Sequence, residues 1–192
     1  KAISSKMEEV LTLLQSIKGY SLAARVRDNF ISEKQLASPE IMFSVRFLRP
    51  NLTHSMDLYY GAWAVLDPTR NMVDAFEWTD GKPWGESPLT VRPDESILYG
   101  NDDALKKAER AKMFMNRDRR LYESVNHSMM ANFVDDGFKD EEVQVNESNN
   151  KGPTGFSALK YVQPTDVTPG YSTVSDADIV VLRYAHVLLM IA

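Results

Sequence analysis

Cysteine is absent from the 192 residues. Disulfide frameworks, thiolate metal sites and cysteine nucleophiles are therefore excluded, while the redox compartment stays open. No basic block is present either: 22 basic side chains face 27 acidic ones, for a net charge of −5. A nucleic-acid partner needs a concentrated positive surface for its phosphates, and a polybasic membrane contact needs the same, so both are disfavoured. Long apolar runs are missing as well. The longest, near the C-terminus, is broken by Arg183 and His186 and falls short of a membrane-spanning helix. His54, His127 and His186 show no metal-ligand spacing, so no zinc site is expected. Nucleophile elbow, phosphate loop and paired-acid motif are lacking too.

What is present suffices for a packed core. Apolar residues make up 43% of the chain and charged residues 26%, at a length that suits one domain. Lys1 to Gly19 reads as an amphipathic helix rather than a signal peptide, with Met7, Val10, Leu11, Leu14 and Ile17 at helical spacing and Gly19 placed to end it. A second short helix is expected from about Leu22 to Phe30. Ile41 to Phe47 alternates and reads as a strand ended by Pro50. Asn51 to Leu66, with Tyr59, Tyr60 and Trp63, reads as a structured loop, and Pro83 to Gly100 as open loop.

Asp102 or Asp103 caps an expected helix through Met115, with a strand-like segment following from Leu121 to Val125. Asn126 to Asn150 is polar and acidic and reads as solvated; its carboxylates lack the ordered spacing of a calcium loop. Ile179 to Met190 is expected to form one helix, nearly all buried. Because the chain stops at Ile191-Ala192 inside that apolar pattern, it is read as a single domain over 1–192, incomplete at both ends.

Pro68 to Lys82 is the most specific stretch. Thr69 can cap a helix by accepting an unpaired backbone N–H of the first turn. Met72, Val73 and Phe76 then share one face, Asp74 and Glu77 point to water, and Asp80-Gly81 makes a turn.

The residue string itself resembles the SusD/RagB family. Pro39-Glu40-Ile41-Met42-Phe43 matches that family's Glu-Ile-Ile-Phe strand, and Pro68 to Gly81 its Pro-Thr-x-x-Leu-Val-Asp-x-Phe-Glu-x-x-Asp-Gly stretch. Asn116-Arg117-Asp118-Arg119-Arg120-Leu121 follows Asn-Arg-Asp-Pro-Arg-Leu, with Arg119 in place of proline. Gly155 to Tyr161 matches Gly-Tyr-x-x-Arg-Lys-Tyr loosely. Arg183 to Ala192 resembles Arg-Tyr-Ala-Glu-Val-Leu-Leu, with His186 in place of glutamate. Five strings in family order, from about Pro39 to Ala192, make the case together.

The resemblance implies a mostly α, SusD-like fold of tetratricopeptide-type helix pairs, with a loop-rich C-terminal part and little β. It further implies a surface-exposed lipoprotein of the Bacteroidota outer membrane, anchored by an N-terminal lipid absent from this chain. Such a protein binds an oligosaccharide or another nutrient and passes it to a SusC-type TonB-dependent transporter. It needs no cofactor and does no covalent chemistry.

Sugar recognition favours exposed rings that cover apolar C–H faces, with polar side chains nearby for hydroxyls. Trp84, Trp63, Tyr59, Tyr60 and Trp78 are the candidates, although large aromatics are usually packed. Trp84 leads, because Pro83 and Gly85 bracket it in polar surroundings, while Trp78 is tied to the helix end. Arg117 and Arg120 are assigned to structure, as planar forks that tie carbonyls and carboxylates across loops. The rival readings are a glycoside hydrolase with two carboxylates, for which Asp74 and Glu77 are the nearest pair, and a helical-repeat scaffold with no ligand of its own.

Overall fold

The computed structural model describes residues 2–62, 66–98, 103–125, 156, 158–163 and 174–192. In chain order it contains α1 (Ala2–Ser16), α2 (Ser32–Gln35), β1 (Ile41–Val45), α3 (Arg70–Ala75), α4 (Glu95–Leu98), α5 (Asp103–Met113), α6 (Arg119–Ser124), β2 (Ile179–Arg183) and α7 (Tyr184–Ile191). A 3-10 turn spans Val26–Phe30 and a π turn Leu58–Ala62. Two compact units form: Lys1–Thr53 with Asp176–Ala192, and His54–Ser175. The expected loops over 126–150 and 152–155, and most of 164–176, lie outside the described residues.

In the first unit, β1 and β2 pair antiparallel, with Ser44 opposite Val180 and two register shifts between Ile41 and Ser44. The expected single helix over 179–190 is thus corrected to a strand followed by a helix. Ile179-Val180-Val181 is a β-branched run, which loses rotamer freedom in a helix and fits a pleat. The helix begins only after Arg183, whose backbone N–H donates to His186 Nδ1 (2.9 Å), the N3 half of a capping box. Nor is α7 nearly all buried. Val187 is, whereas Leu189 and Met190 stand exposed.

A second correction falls on Leu22 to Phe30, which makes only the 3-10 turn. Asn29 competes for the backbone here, donating to Val26 O (3.1 Å) and to the Glu40 carboxylate (2.9 Å). Glu40 is the polar centre of this unit, 2% exposed. It also accepts Ala23 N–H (3.0 Å) and Arg183 Nη1 (2.7 Å), so segments far apart in sequence meet at one carboxylate. Gln35 and Asp178 exchange two bonds, Gln35 Nε2 to Asp178 O (2.7 Å) and Asp178 N–H to Gln35 Oε1 (2.6 Å).

The second unit has an apolar core of Val73, Leu98, Met113, Phe114, Leu121, Tyr122, Val125 and Phe156, with Phe76 and Ala111 packed against it. Thr69 caps α3 as its sequence suggests, accepting Met72 N–H at 3.2 Å. Met72 is exposed, however, because α3 is short and only Val73 of its residues is buried. Asp74 does not simply face water: it is half-buried and pairs with Arg70 (2.8 Å). The strand expected from Leu121 to Val125 is α6 instead. Asp118 begins it by accepting Arg120 N–H (2.8 Å), which favours helix over strand locally. Pro83 to Gly100 likewise holds the short α4, and Asn51 to Leu66 the π turn.

Candidate ligand-binding surface

The site is built from Arg117 outward. Asn116 has a positive φ of 57°, a region that asparagine tolerates better than most residues. This bend follows α5 and turns the Arg117 side chain inward, where it is 1% exposed. Its fork donates to Met113 O (2.8 Å), Val73 O (2.6 Å) and Phe76 O (2.6 Å). Those carbonyls come from the ends of α5 and α3, so one guanidinium gives a charge-assisted partner to three helix-end carbonyls, of which Val73 O has otherwise only a long bond from Phe76 N–H (3.4 Å). Burial holds the Arg117 pKa below the usual arginine range, an effect that Asp74 partly offsets, and a guanidinium stays charged at neutral pH. Backbone bonds reinforce the joint. Thr79 N–H donates to Asn116 O (2.9 Å) and Asp118 N–H to Glu77 O (2.8 Å).

The tryptophans stack on this fork. Arg117 lies 4.0 Å from the Trp78 ring centre, and Trp78, 2% exposed, lies 5.2 Å from Trp84 at a tilt of 53°. Arg70 sits 5.6 Å from the Trp84 centre while pairing with Asp74 and, at 3.3 Å, with Glu95. The turn between the two indoles is closed by Gly81 N–H to Trp78 O (2.9 Å), with Gly81 at φ 75°. Burial alone would raise the Asp80 carboxyl, but the Ser87 hydroxyl and the Lys82 N–H bring it below its usual range. Its bond from Ser87 (2.8 Å) ties the loop beyond Trp84 back to the turn.

Of the candidate rings, Trp84 is half-buried at the outer end of this stack, and Trp78 is packed behind it. Tyr59 is 42% exposed in the π turn. Tyr60 is half-buried and stacks on Tyr161 at 6.2 Å. Trp63 lies outside the described residues. Arg70 is the residue that sequence reasoning passed over; its only signal was the i,i+4 spacing to Asp74. Among the described residues, no group of histidines and carboxylates gathers at metal-binding distance, and no helix is long and apolar enough to cross a membrane.

A family model described as the SusD family matches residues 36–192. Among solved structures, the chain is similar to a SusD-like carbohydrate binding protein from Bacteroides fragilis NCTC 9343. The TM-score is 0.66 at 18% identity, covering 98% of this chain and 36% of that one. A second SusD-like protein from the same organism gives a TM-score of 0.53 at 18% identity, covering 98% of this chain and 39% of that one. The chain therefore spans less than two fifths of the length of either. No curated protein matches it. The likeness is one of fold: mostly helical, with a two-stranded sheet among the described residues.

Proposed function

Because the chain belongs to the SusD family, we propose that it is part of a surface protein that binds a glycan. In this reading the whole protein is a lipid-anchored component of the outer membrane that hands its ligand to a SusC-type TonB-dependent transporter, and residues 1–192 are part of one domain. The observation that carries the binding step is the mounting of Trp84: a half-buried indole backed by buried Trp78 and by the Arg117 fork. A ring held in this way meets the C–H face of a sugar at little cost in side-chain entropy, with the Arg70–Glu95 pair beside it to exchange bonds with hydroxyls. The fold shared with a protein described as carbohydrate binding supports the same reading.

Catalysis is not part of this proposal. Asp74 is engaged by Arg70 (2.8 Å), and Glu77 faces Arg120 at 3.9 Å, so the carboxylate pair is split between different partners.

The test is affinity electrophoresis against plant, host and microbial polysaccharides, with a reducing-end assay run in parallel. Retardation by at least one polysaccharide without sugar release is expected. Trp84→Ala should weaken that retardation about tenfold and cost about 1–3 kcal/mol of stability, the aromatic pair together with the buried part of a half-exposed ring. Sugar release, or Trp84→Ala binding as well as the native protein, would overturn the reading.

A further inference from the structure

The first unit carries a cleft of about 150 Å³ remote in sequence from Trp84. Its walls include Glu33 and Leu36 of the α2 region, Arg46, Phe47 and Leu48 after β1, and Asp176 before β2. Arg46 is the notable member. Its Nε pairs with Asp178 (2.9 Å), which fixes the guanidinium while the side chain stays 64% exposed. Asp178 in turn is held on all sides: Oδ1 accepts Phe47 N–H (3.0 Å), Oδ2 accepts the Ser44 hydroxyl (3.1 Å), and the Gln35 side chain clamps its backbone. The donor fork is therefore positioned before any ligand arrives, which lowers the ordering cost of binding.

The chemistry of the walls selects a ligand class. Glu33 and Asp176 are acceptors, the latter with one oxygen on Arg49 (3.2 Å), and Arg46 is the donor. An anion would meet Glu33, Asp176 and Asp178 together, so net charge is against it. Leu36 and Leu48, 72% and 73% exposed, add apolar surface on the same rim, and Phe47 lies next to Leu48. Groups that both donate and accept, arranged around a C–H-rich face, are what a sugar ring presents. The volume admits several waters and suits one ring rather than an oligosaccharide.

We propose that this cleft is a binding site for a single neutral sugar ring, separate from the Trp84 surface. Its recognition uses Arg46 as donor, Glu33 as acceptor, and Leu36 and Leu48 as apolar walls.

The experiment titrates the ¹⁵N-labelled protein with D-glucose, D-galactose, D-mannose and N-acetyl-D-glucosamine, each to about 50 mM, following amide shifts. At least one sugar should move the amides of Leu36, Phe47 and Leu48 with a dissociation constant of about 1 mM, ordinary for so small a ligand. Arg46→Gln and Glu33→Gln should each weaken that binding at least fivefold, and Trp84→Ala should leave it unchanged. Glu33 is exposed, so Glu33→Gln keeps the test valid if Arg46→Gln disturbs Asp178. No shift at these amides with any of the four sugars overturns the inference, as does a Glu33→Gln protein that binds as tightly as the native one. Loss of the cleft shifts in Trp84→Ala would also overturn it, because the two sites would then not be separate. The glycan reading above stands or falls on its own polysaccharide assay with Trp84→Ala, a residue of His54–Ser175 that does not line this cleft.

Discussion

Replacing Arg117 by lysine keeps the charge and removes the fork, and this change tests how the Trp84 surface is held. Arg117 reaches three carbonyls at 2.6 to 2.8 Å while lying 1% exposed, with its guanidinium 4.0 Å from Trp78. A lysine ammonium at the same depth meets one of these carbonyls well, because its donors radiate from a single nitrogen. The other two lose a charge-assisted partner inside the protein, and each buried carbonyl left unpaired costs about 1–3 kcal/mol. Val73 O retains a long bond from Phe76 N–H (3.4 Å), which keeps its share low in that range. The expected loss is about 2–4 kcal/mol, a large part of the stability of a domain this size. Urea unfolding followed by tryptophan fluorescence is the assay, since Trp78 and Trp84 both belong to His54–Ser175. The native emission of Arg117→Lys should also change, as Trp78 loses its planar cation. A cost below about 1 kcal/mol with unchanged emission would refute the argument: the fork would then be incidental, and the mounting of Trp84 would need another cause.

Glu40→Ala strips Arg183, Asn29 and the Ala23 N–H of a shared acceptor at 2% exposure, and should cost about 3–5 kcal/mol; a urea series showing under 1 kcal/mol would contradict the network. His186→Ala removes the acceptor from Arg183 N–H and should cost about 0.5–2 kcal/mol, while His186→Glu should restore most of it; equal melting temperatures for Ala and Glu at this position would count against the cap. Asp67, both of whose carboxylate oxygens are buried with no hydrogen-bond partner among the described residues, is pushed by burial up to about 6. The folded state then holds that proton more tightly than the unfolded chain. Its contribution is most favourable below about pH 4, declines as pH rises toward 6 and stays unfavourable above that. Asp67→Asn should therefore gain about 1–2 kcal/mol at pH 7, after allowing for solvent screening, and little at pH 4. An equal gain at both values would show that the carboxyl does not titrate in this window.

Much of the helical character was legible because its signals are local. Thr69 read as a cap and is one, and Arg117 and Arg120 read as structural forks and are so used, Arg120 holding Asp118 through Nε (2.9 Å) and Nη2 (2.7 Å). The misses share a different cause. Ile179 to Arg183 has the apolarity of a buried helix and of a buried strand alike, and only pairing with β1, more than 130 residues earlier, decides between them. Leu121 to Val125 carries β-like residues, but the Asp118 cap outweighs that preference. The candidate site shows the same division. That Trp84 sits in an unusual local setting was visible in Pro83 and Gly85, whereas its stacking on Trp78, Arg117 and Arg70 brings together positions spread over 48 residues, and no local pattern encodes it.

Two of the departures from the SusD/RagB pattern, Arg119 and His186, can be understood in the same physical terms, and both fall at helix caps. Arg119 stands where the family has proline, and it is the first helical residue after the Asp118 cap. Proline suits that position because the N–H there has no intrahelical acceptor and the backbone is already helical in φ. Arginine keeps the helical backbone and adds an i,i+4 pair with Glu123 at 2.9 Å, so the helix start survives the exchange. His186 stands where the family has glutamate, at the third position of α7. A glutamate there would reach back to the N-cap N–H; the histidine does so with Nδ1 at 2.9 Å. What the family motif specifies at these two points is a backbone requirement rather than a side-chain identity. Sequences that meet it by other residues keep the fold, so motif mismatches at capping positions carry less weight against membership than mismatches at Glu40 or Arg117, whose side chains each bind three partners.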